Sequence, residues 1–352
     1  MNPLFYAVLL LVVALASLLS VENWYHIPWR MPLLPQSKNS TTFSWSRKQN
    51  SRSDYGKNHS DVSPDAAAPV HVVFSSTMDS VAGVKAAIRS VQEHAKGPVE
   101  FYFIGKDPLP VHSSSNQQVS VHWFNLTKVA SEYKLAEYMN VGFEGRDDNI
   151  NVMYANYARF ALADLFERYV PSATKILYLD NDVLVLCDVH SLVRNALLDD
   201  RKNYAVAAVP RYGTVGHKNP IRGLVKDSEK KLKKEFGKVS KSFNAGVYIV
   251  HLQRWRNQNI SEQIRALALR NREEYLYRGG SQPPFNLIIG DEFEDLPNGW
   301  NSGASGYERF LNGESTEQVC IVHYKGGIHP WENKRDFGGK DLWLRYGTQI
   351  DR

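Results

Sequence analysis

Two hydrophobic patterns alternate along most of this chain. Short apolar runs rich in β-branched and aromatic residues predict strands, and they occupy residues 70–76, 99–105, 119–125, 175–180, 204–210, 246–252 and 319–326. Apolar residues spaced three or four positions apart predict helices, and this spacing is found at residues 80–95, 153–169 and 261–274. The alternation of the two kinds of element predicts an α/β fold.

The predicted strands are apolar throughout, which is typical of strands buried on both faces of a parallel sheet. We therefore expect one mixed, mostly parallel, Rossmann-like sheet with helices on both faces. No internal repeat and no second core interrupts residues 70–346. These residues are predicted to form a single folded domain, followed by a short tail at 347–352.

An uncharged apolar run, from Leu4 to Val21, precedes the domain and is 18 residues long. A helix needs ~20 such residues to cross a bilayer. A cleaved signal peptide remains an alternative, with the small residues at 14–16 as its cleavage site. We favour an uncleaved signal anchor over residues 1–21, because the apolar stretch of a signal peptide is usually only ~7–15 residues long.

Residues 22–69 are rich in Ser, Asn, Gln, Lys and Pro and show no sustained periodicity. This composition predicts a flexible stem between the anchor and the domain. Either interpretation of the apolar run delivers the domain to the secretory lumen. Four N-x-S/T glycosylation triplets agree with that location, and they begin at Asn39, Asn58, Asn125 and Asn259.

The composition is that of an ordinary globular protein: 43% of the 352 residues are hydrophobic, 22% are charged, and the net charge is +5. Basic residues are interleaved with acids, so no nucleic-acid partner is expected. The basic run at 226–238 is interpreted as a solvated helix face or loop. The two cysteines, Cys187 and Cys320, lack metal-ligand spacing. They could pair or remain as two buried thiols, and we favour the thiols.

Two carboxylates, Asp180 and Asp182, lie where the apolar strand at 175–180 ends. In open α/β sheets, ligands bind outside the carboxyl ends of the strands. Two neighbouring carboxylates repel each other and are costly to bury, and a divalent cation removes both penalties. A helix cap or a surface turn is the alternative interpretation of this motif.

His323 ends another apolar strand, in the segment "VHYKGGIHPW" at 322–331. A third ligand from a second strand end could complete a cation site with Asp180 and Asp182. Two carboxylates and one imidazole suit Mn²⁺ and leave positions open for substrate oxygens. The adjacent glycines would allow the backbone to approach a phosphate closely.

Four motifs resemble glycosyltransferase family 8 in their order: "NYARF" (156–160), "ILYLDNDVLV" (176–185), "FNAGVYIVHLQRWR" (243–256) and "HYKGGIHPW" (323–331). The likeness is greatest to the animal branch of proteins that contain this domain. It implies a GT-A fold and a retaining, Mn²⁺-dependent transferase that uses a UDP-sugar donor and a saccharide or glycoconjugate acceptor. The apolar run followed by a polar stem predicts a single-pass type II protein with a lumenal catalytic domain, and the Golgi membrane is the expected location.

The resemblance also implies roles for individual residues. Asp180, Asp182 and His323 would be the metal ligands, and Asp180 and Asp182 would act in catalysis together with Gln282. The residues implied to contact the donor are Ser75, Thr77, Arg159, Asp180, Asn181, Asn244, Ala245, Gly326 and His329. Within this set, Asn244 and Ala245 would line the sugar pocket, and Gly326 would approach the diphosphate.

Three positions depart from the family pattern. His329 stands where the family usually has a diphosphate-binding lysine, although Lys325 and Lys334 are near it in sequence. The stretch "SQPPFN" at 281–286 keeps a glutamine but lacks the two acids of many bacterial members, and its Pro-Pro pair resembles the plant galacturonosyltransferase-like branch. The first strand leads into Thr77, Met78 and Asp79, where many relatives have an acid that contacts uracil.

These departures keep a second function open, a lumenal protein that binds nucleotide-sugars or glycans without catalysis. A metal-dependent phosphoesterase is a third possibility. It is disfavoured because two-metal hydrolysis needs more converging carboxylates and histidines than the sequence offers.

Overall fold

The computed structural model describes residues 26–31, 68–109, 117–139, 147–212, 220–225, 228–237, 239–325, 329–332 and 336–347. Within these ranges, no helix has the length and apolar character needed to span a bilayer. The predicted anchor, most of the predicted stem, and the residues Asn39, Asn58, Gly326 and Lys334 lie outside the described residues.

Eight strands form one sheet, in the order β1-β4-β3-β2-β5-β8-β7-β9, and three short strands form a second sheet, in the order β10-β11-β6. The strands are β1 His26–Met31, β2 Val70–Ser75, β3 Val99–Gly105, β4 Gln117–Asn125, β5 Lys175–Leu179, β6 Val183–Val185, β7 Val206–Tyr212, β8 Lys241–His251, β9 Glu294–Asp295, β10 Ser302–Gly303 and β11 Ile321–His323.

Helices connect most of these strands. The α-helices in the described ranges are α1 Val81–His94, α2 Leu126–Glu132, α3 Asp147–Tyr157, α4 Leu162–Tyr169, α5 Val189–Asn195, α6 Glu229–Phe236, α7 Leu252–Asn257, α8 Ile260–Glu274, α9 Gln282–Ile289, α10 Ala304–Leu311 and α11 Lys340–Tyr346. Short 3₁₀ turns occur at Met78–Ser80, Leu135–Tyr138, Ala158–Ala161, Asn298–Asn301 and Pro330–Glu332.

The large sheet confirms the predicted mixed, mostly parallel architecture. Strands β4, β3, β2 and β5 run parallel, and β9 is parallel to β7. Strand β8 is antiparallel to β5 and β7, and β1 is antiparallel to β4. Strand β1 lies within the segment predicted to be a stem, where the sequence had indicated no regular element.

The central strands are buried on both faces, which explains their continuous apolar sequence. In β5, Ile176 and Tyr178 pack into one core cluster, while Leu177 and Leu179 pack into the cluster on the opposite face. All four side chains are at most 1% exposed. Each such side chain contributes about 1.5–3 kcal/mol by leaving water, so a polar substitution on either face would be costly.

The single helix predicted over 153–169 is divided in the structure. Helix α3 ends at Tyr157, the 3₁₀ turn Ala158–Ala161 follows, and α4 begins at Leu162. The tighter turn contains Arg159, whose side chain turns inward and is 4% exposed. Helical spacing persists through the 3₁₀ turn, so the sequence pattern did not show the break.

Cys187 and Cys320 form a disulfide bond, so the preference for two free thiols was wrong. Strands β6 and β11 are antiparallel, with Val185 opposite Ile321. The residues that follow β6 therefore lie beside those that precede β11, and the two Cα atoms are 4.9 Å apart. The cysteines are separated by 133 residues in sequence, and only the register of this pair brings them together.

His71 should make the fold less stable in mild acid. It is 8% exposed, and its Nδ1 donates to the hydroxyl of Tyr102, which in turn donates to Glu100. Burial lowers the pKa of His71 below its usual 6.5, although the charge of Glu100 opposes this. The unfolded chain therefore takes up a proton more readily than the folded one, and stability is lost as pH falls below 6.5.

Urea unfolding at pH 7.5 and pH 5.5 measures this loss, and His71→Gln should make it smaller. The pKa of His251 is also lowered by burial, so His251 should add to the loss of stability in acid. The variant keeps this second contribution. An identical loss in wild type and variant would show that His71 has no part in it.

Candidate functional site

The turn Asp180-Asn181-Asp182 carries the chain from β5 in the large sheet to β6 in the small one. Backbone hydrogen bonds fix both carboxylate-bearing residues: the amide of Asp180 donates to the carbonyl of Gly246 at 2.7 Å, and the amide of Tyr324 donates to the carbonyl of Asp182 at 2.9 Å. The two carboxylates thus lie at the carboxyl end of a buried strand, as predicted.

His323 reaches the same point from the end of β11. Its Nε2 atom is 3.1 Å from Oδ1 of Asp182 and 4.0 Å from Oδ2 of Asp180. One potential ligand atom from each of the three residues lies within 4.8 Å of the others, and this is the one such group of three or more acids, histidines or cysteines in the described ranges. The structure therefore brings together the three predicted metal ligands.

Asn301 orients the imidazole, and it was not identified from the sequence. Its Oδ1 is 2.9 Å from Nδ1 of His323. Since a carbonyl oxygen can only accept, Nδ1 carries a proton, and Nε2 faces the two carboxylates. A polar partner on the far ring nitrogen is usual for histidines that bind metals. Asn301 lies in a 3₁₀ turn whose sequence, "NGWN", contains no signal for this role.

Arg159 lies behind Asp180 and holds it in place. Its guanidinium donates to Oδ1 of Asp180 and to the hydroxyl of Tyr178, both at 3.2 Å, and to the carbonyl of Ala245 at 2.5 Å. Its Nε donates to the carbonyl of Asn156. With most of its N–H groups used by the protein, Arg159 is placed to position a carboxylate, and its contact with a donor stays a prediction.

The charges at this site favour a cation. Burial raises the pKa of Asp180 above its ordinary value, Arg159 lowers it, Asp182 raises it and His323 lowers it again. Arg159 supplies a fixed positive charge in contact with Asp180. A divalent ion would remove the remaining repulsion, and two carboxylates with one imidazole are a donor set that Mn²⁺ accepts. These residues therefore fit a resident divalent metal.

A row of amides lies beside the carboxylates. Oε1 of Gln282, at the start of α9, accepts from the backbone amide of Ala245 at 3.2 Å and from Nδ2 of Asn244 at 3.4 Å. Asn244 in turn accepts from the amide of Gly246 and from Asn301. The predicted sugar-pocket residues Asn244, Ala245 and Gln282 thus form one hydrogen-bonded group next to Asp180.

Asn181 lies against α1 and the end of β2. Its Nδ2 donates to Oγ of Ser76 at 3.0 Å. A Cβ atom at Gly83 would come within 2.1 Å of the carbonyl oxygen of Asn181, so only glycine permits this approach. Of the predicted donor contacts at the end of β2, Ser75 has a buried hydroxyl without a hydrogen-bond partner, and Thr77 is half-buried at the following turn.

Lys325 follows His323 by two residues on the C-terminal segment. Its ammonium donates to the carbonyl of Asn301 at 3.0 Å. Burial and the charge of Arg211 lower the pKa of Lys325 to about 8, while Asp182 acts in the opposite direction. His329 is exposed and lies against Trp331, with ring centres 5.2 Å apart. Among the described residues of this segment, Lys325 is a cation whose charge interacts with that of Asp182.

Gly246→Ala should disturb the site, because a Cβ there would lie 2.3 Å from Cε1 of His323 and 2.6 Å from Oδ2 of Asp180. We expect a loss of about 1–3 kcal/mol in stability and weaker binding of a divalent ion, measured by thermal melting and by titration with Mn²⁺. Gly303→Ala is the control, since the nearest atom to its Cβ is 3.9 Å away. Equal effects of the two substitutions would contradict this geometry.

Comparison with known families and sequences gives one consistent result. The sequence profile of glycosyl transferase family 8 matches residues 71–335. Glycosyltransferase 8 domain-containing protein 1 of Homo sapiens is 27% identical over 301 residues, which cover 79% of this chain and 76% of that protein. Probable galacturonosyltransferase-like 6 of Arabidopsis thaliana is 25% identical over 292 residues, which cover 79% of each chain.

Solved structures show the same fold at lower sequence identity. The galactosyltransferase LgtC, solved with donor and acceptor sugar analogs, superposes with a TM-score of 0.54 and 17% identity, covering 80% of this chain and 98% of LgtC. The bifunctional glycosyltransferase WbbM has a TM-score of 0.56 and 18% identity. The match covers 81% of this chain but only 50% of WbbM.

Proposed function

Because this chain belongs to glycosyltransferase family 8, we propose that it transfers a sugar from a UDP-sugar to a saccharide or glycoconjugate acceptor, with retention of configuration and with Mn²⁺ as its metal. That it is a glycosyltransferase of the GT-A fold follows from the family and from its structural neighbours. The donor, the metal and the activity are the proposed part.

The observation that carries this proposal is the convergence of Asp180, Asp182 and His323 at one end of the large sheet. The two carboxylates share little compensating charge, and the hydrogen bond that Nδ1 of His323 donates to Asn301 turns Nε2 towards them. Such a set can hold one divalent ion and still leave coordination positions for the oxygens of a diphosphate.

The reaction develops negative charge on the β-phosphate as the bond between the sugar C1 and the phosphate oxygen breaks. When bound, a divalent metal supplies Lewis-acid stabilisation of that charge. Arg159 keeps Asp180 in its ligating position, and the ammonium of Lys325 adds positive potential on the side of Asp182. In this proposal, Lys325 takes the part that the family usually gives to the lysine replaced here by His329.

Retention of configuration is assigned to attack on the same face from which UDP departs. Asn244, Ala245 and Gln282 would orient the reacting sugar, since their amide groups form one hydrogen-bonded group beside Asp180. Neutral amides can hold sugar hydroxyls without forming an ester with C1, which is compatible with this route.

The disulfide between Cys187 and Cys320 supports the proposed location. Disulfides persist in oxidising compartments such as the secretory lumen and are rare in the cytosol. We place the domain in the lumen of the Golgi, held by the predicted anchor at residues 1–21. Alkaline carbonate extraction of the expressed full-length chain tests the anchor, and release of the uncut chain into the supernatant would count against it.

The function is tested with the full-length chain from a eukaryotic secretory host. Release of UDP is measured with Mn²⁺ and with UDP-galactose, UDP-glucose, UDP-galacturonic acid or UDP-xylose, with and without saccharide acceptors. The galacturonic donor is included because the plant relative is named a probable galacturonosyltransferase-like protein. Acceptor-dependent UDP release with one donor is the expected result.

One observation favours a second function, binding of nucleotide-sugars without transfer. His329 replaces the usual diphosphate-binding lysine, and it is exposed. A protein of this kind would bind UDP in the presence of Mn²⁺ but release none from any donor in the panel. Calorimetric titration of UDP alongside the turnover assay distinguishes the two functions.

A further inference from the structure

A cavity of about 400 Å³ lies among α2, α4, α7 and α8, and it shares no residue with the site described above. Its lining is mainly polar and includes Asp164, Arg256 and Asn259, together with the ring of Tyr133. Pockets of this size can hold a small ligand.

Two polar groups of this lining have no hydrogen-bond partner in the described part of the chain. The carboxylate of Asp164 is half-buried and accepts no hydrogen bond, and Nε of Arg256 is buried and donates none. Nε lies 3.2 Å from Oε1 of Glu167, but without hydrogen-bond geometry. Because Nε of Arg256 is buried, the group available to a ligand is the carboxylate of Asp164, a free acceptor suited to hydroxyl groups.

Asn259 supplies the candidate for that ligand. It begins the triplet Asn259-Ile260-Ser261, lies on the cavity lining and is exposed. Its backbone is in the left-handed region, with φ of 51°, and its side chain does not cap the helix α8 that follows. The Nδ2 atom is therefore open to modification.

Asn125 begins the other N-x-S/T triplet in the described part of the chain, and its side chain is already used by the fold. It is half-buried, its Oδ1 caps α2 by accepting from the amide of Lys128, and its Nδ2 donates to the carbonyl of Lys106. A glycan there would have to be accommodated around a side chain that the fold already uses.

We propose that Asn259 carries an N-linked glycan whose first N-acetylglucosamine residue lies in this cavity. The hydroxyl groups of that sugar would donate to the carboxylate of Asp164 on the cavity lining. Attachment at the rim gives the sugar a high effective concentration in the cavity, so that weak contacts suffice to hold it. The glycan thereby satisfies a carboxylate that the described part of the chain leaves without a hydrogen-bond partner.

The modification is an ordinary group transfer supplied by the secretory host. A bond forms between Nδ2 of Asn259 and C1 of the sugar, and the bond from C1 to the diphosphate of a lipid-linked oligosaccharide breaks. The proton leaves Nδ2, and the lipid diphosphate is the leaving group. No oxidant or reductant is needed.

The test uses the full chain from a eukaryotic secretory host and peptide mapping by mass spectrometry, with the Cys187–Cys320 disulfide verified on the same molecules. We expect Asn259 to be occupied and Asn125 to be largely unmodified. An unmodified Asn259 on disulfide-bonded molecules would overturn the proposal. The mapping requires no UDP-sugar turnover, so its result is independent of the proposed activity.

Thermal melting tests the place of the sugar. The amidase that removes N-glycans converts the attachment residue to Asp, so the treated wild type can be compared with Asn259→Asp, which keeps any other glycans. Asp tolerates the left-handed backbone. Both forms should melt at least about 2 °C below the glycosylated protein, and no difference would overturn the assignment of the sugar to the cavity.

A double-mutant comparison tests the contact between the sugar and Asp164. Asp164→Asn should reduce the difference in melting temperature between the glycosylated and treated proteins, because it weakens an acceptor for the sugar hydroxyls. Glu273→Gln, the same chemical change on an exposed position of α8 outside the cavity, should leave that difference intact. Equal effects of the two changes would contradict the contact with Asp164.

Discussion

Asp182→Asn should reduce the rate of metal-dependent sugar transfer by at least about 100-fold while the domain remains folded. Loss of a residue that merely orients a metal ligand costs 10–100-fold in affinity or activity, and removal of a charged ligand should cost no less. The substitution also removes one of two repelling carboxylates, so we expect stability to be unchanged or slightly higher.

Calorimetric titration of Mn²⁺ and UDP into wild type and variant gives the affinity directly, and thermal melting gives the stability. Asp199→Asn provides the matched control, because it makes the same change at a surface acid that contacts only Arg201 among the ion pairs. If the Asp182→Asn protein bound Mn²⁺ and UDP as tightly as wild type, Asp182 would not be a ligand.

Asp180→Asn should differ from Asp182→Asn in one respect. Asp180 is the charged partner of Arg159, whose side chain is 4% exposed. Loss of that charge leaves a buried guanidinium without its counter-ion. The Asp180 variant should therefore lose stability as well as metal binding.

Removing the disulfide should produce the largest loss of stability. The bond closes a loop between residues 133 apart in sequence, for which chain entropy gives about 5 kcal/mol. In a domain of this size, that corresponds to a fall of roughly 10 °C in melting temperature. The double substitution Cys187→Ser with Cys320→Ser avoids leaving a reactive thiol.

Circular dichroism melting with and without a reductant measures this effect. Reduction should lower the melting temperature of wild type to that of the double variant. The melting temperature of the variant should not change when the reductant is added. If the melting temperature of the double variant equalled that of oxidised wild type, strands β6 and β11 would be held together by packing alone. Affinity for Mn²⁺ should also fall, since Asp182 and His323 belong to the segments that the bond joins.

Much of the fold was predictable because burial on both faces leaves a clear mark in the sequence. The continuous apolar run of β5 and its ending at Asp180 were enough to predict a central strand and a ligand at its carboxyl end. His323 was found for the same reason, since it ends the short apolar strand β11.

What the sequence did not predict depends on register and on single side chains. The disulfide requires β6 to lie antiparallel to β11 with Val185 opposite Ile321, and no local pattern encodes that pairing. Asn301 acts through one hydrogen bond to His323 from an irregular turn. The break in the helix predicted over 153–169 depends on an arginine that turns inward, against its usual preference for water.

The pairing of strands in the small sheet determines how late in synthesis the metal site can assemble. Asp180 and Asp182 leave the ribosome well before Cys320 and His323, and a domain is synthesised from its N-terminus. Neither the cross-link nor the complete ligand set can exist until β11 has been translated and has paired with β6. A polypeptide that stops short of β11 therefore lacks both, so premature termination yields a chain that cannot assemble the metal site, however well its earlier strands have folded.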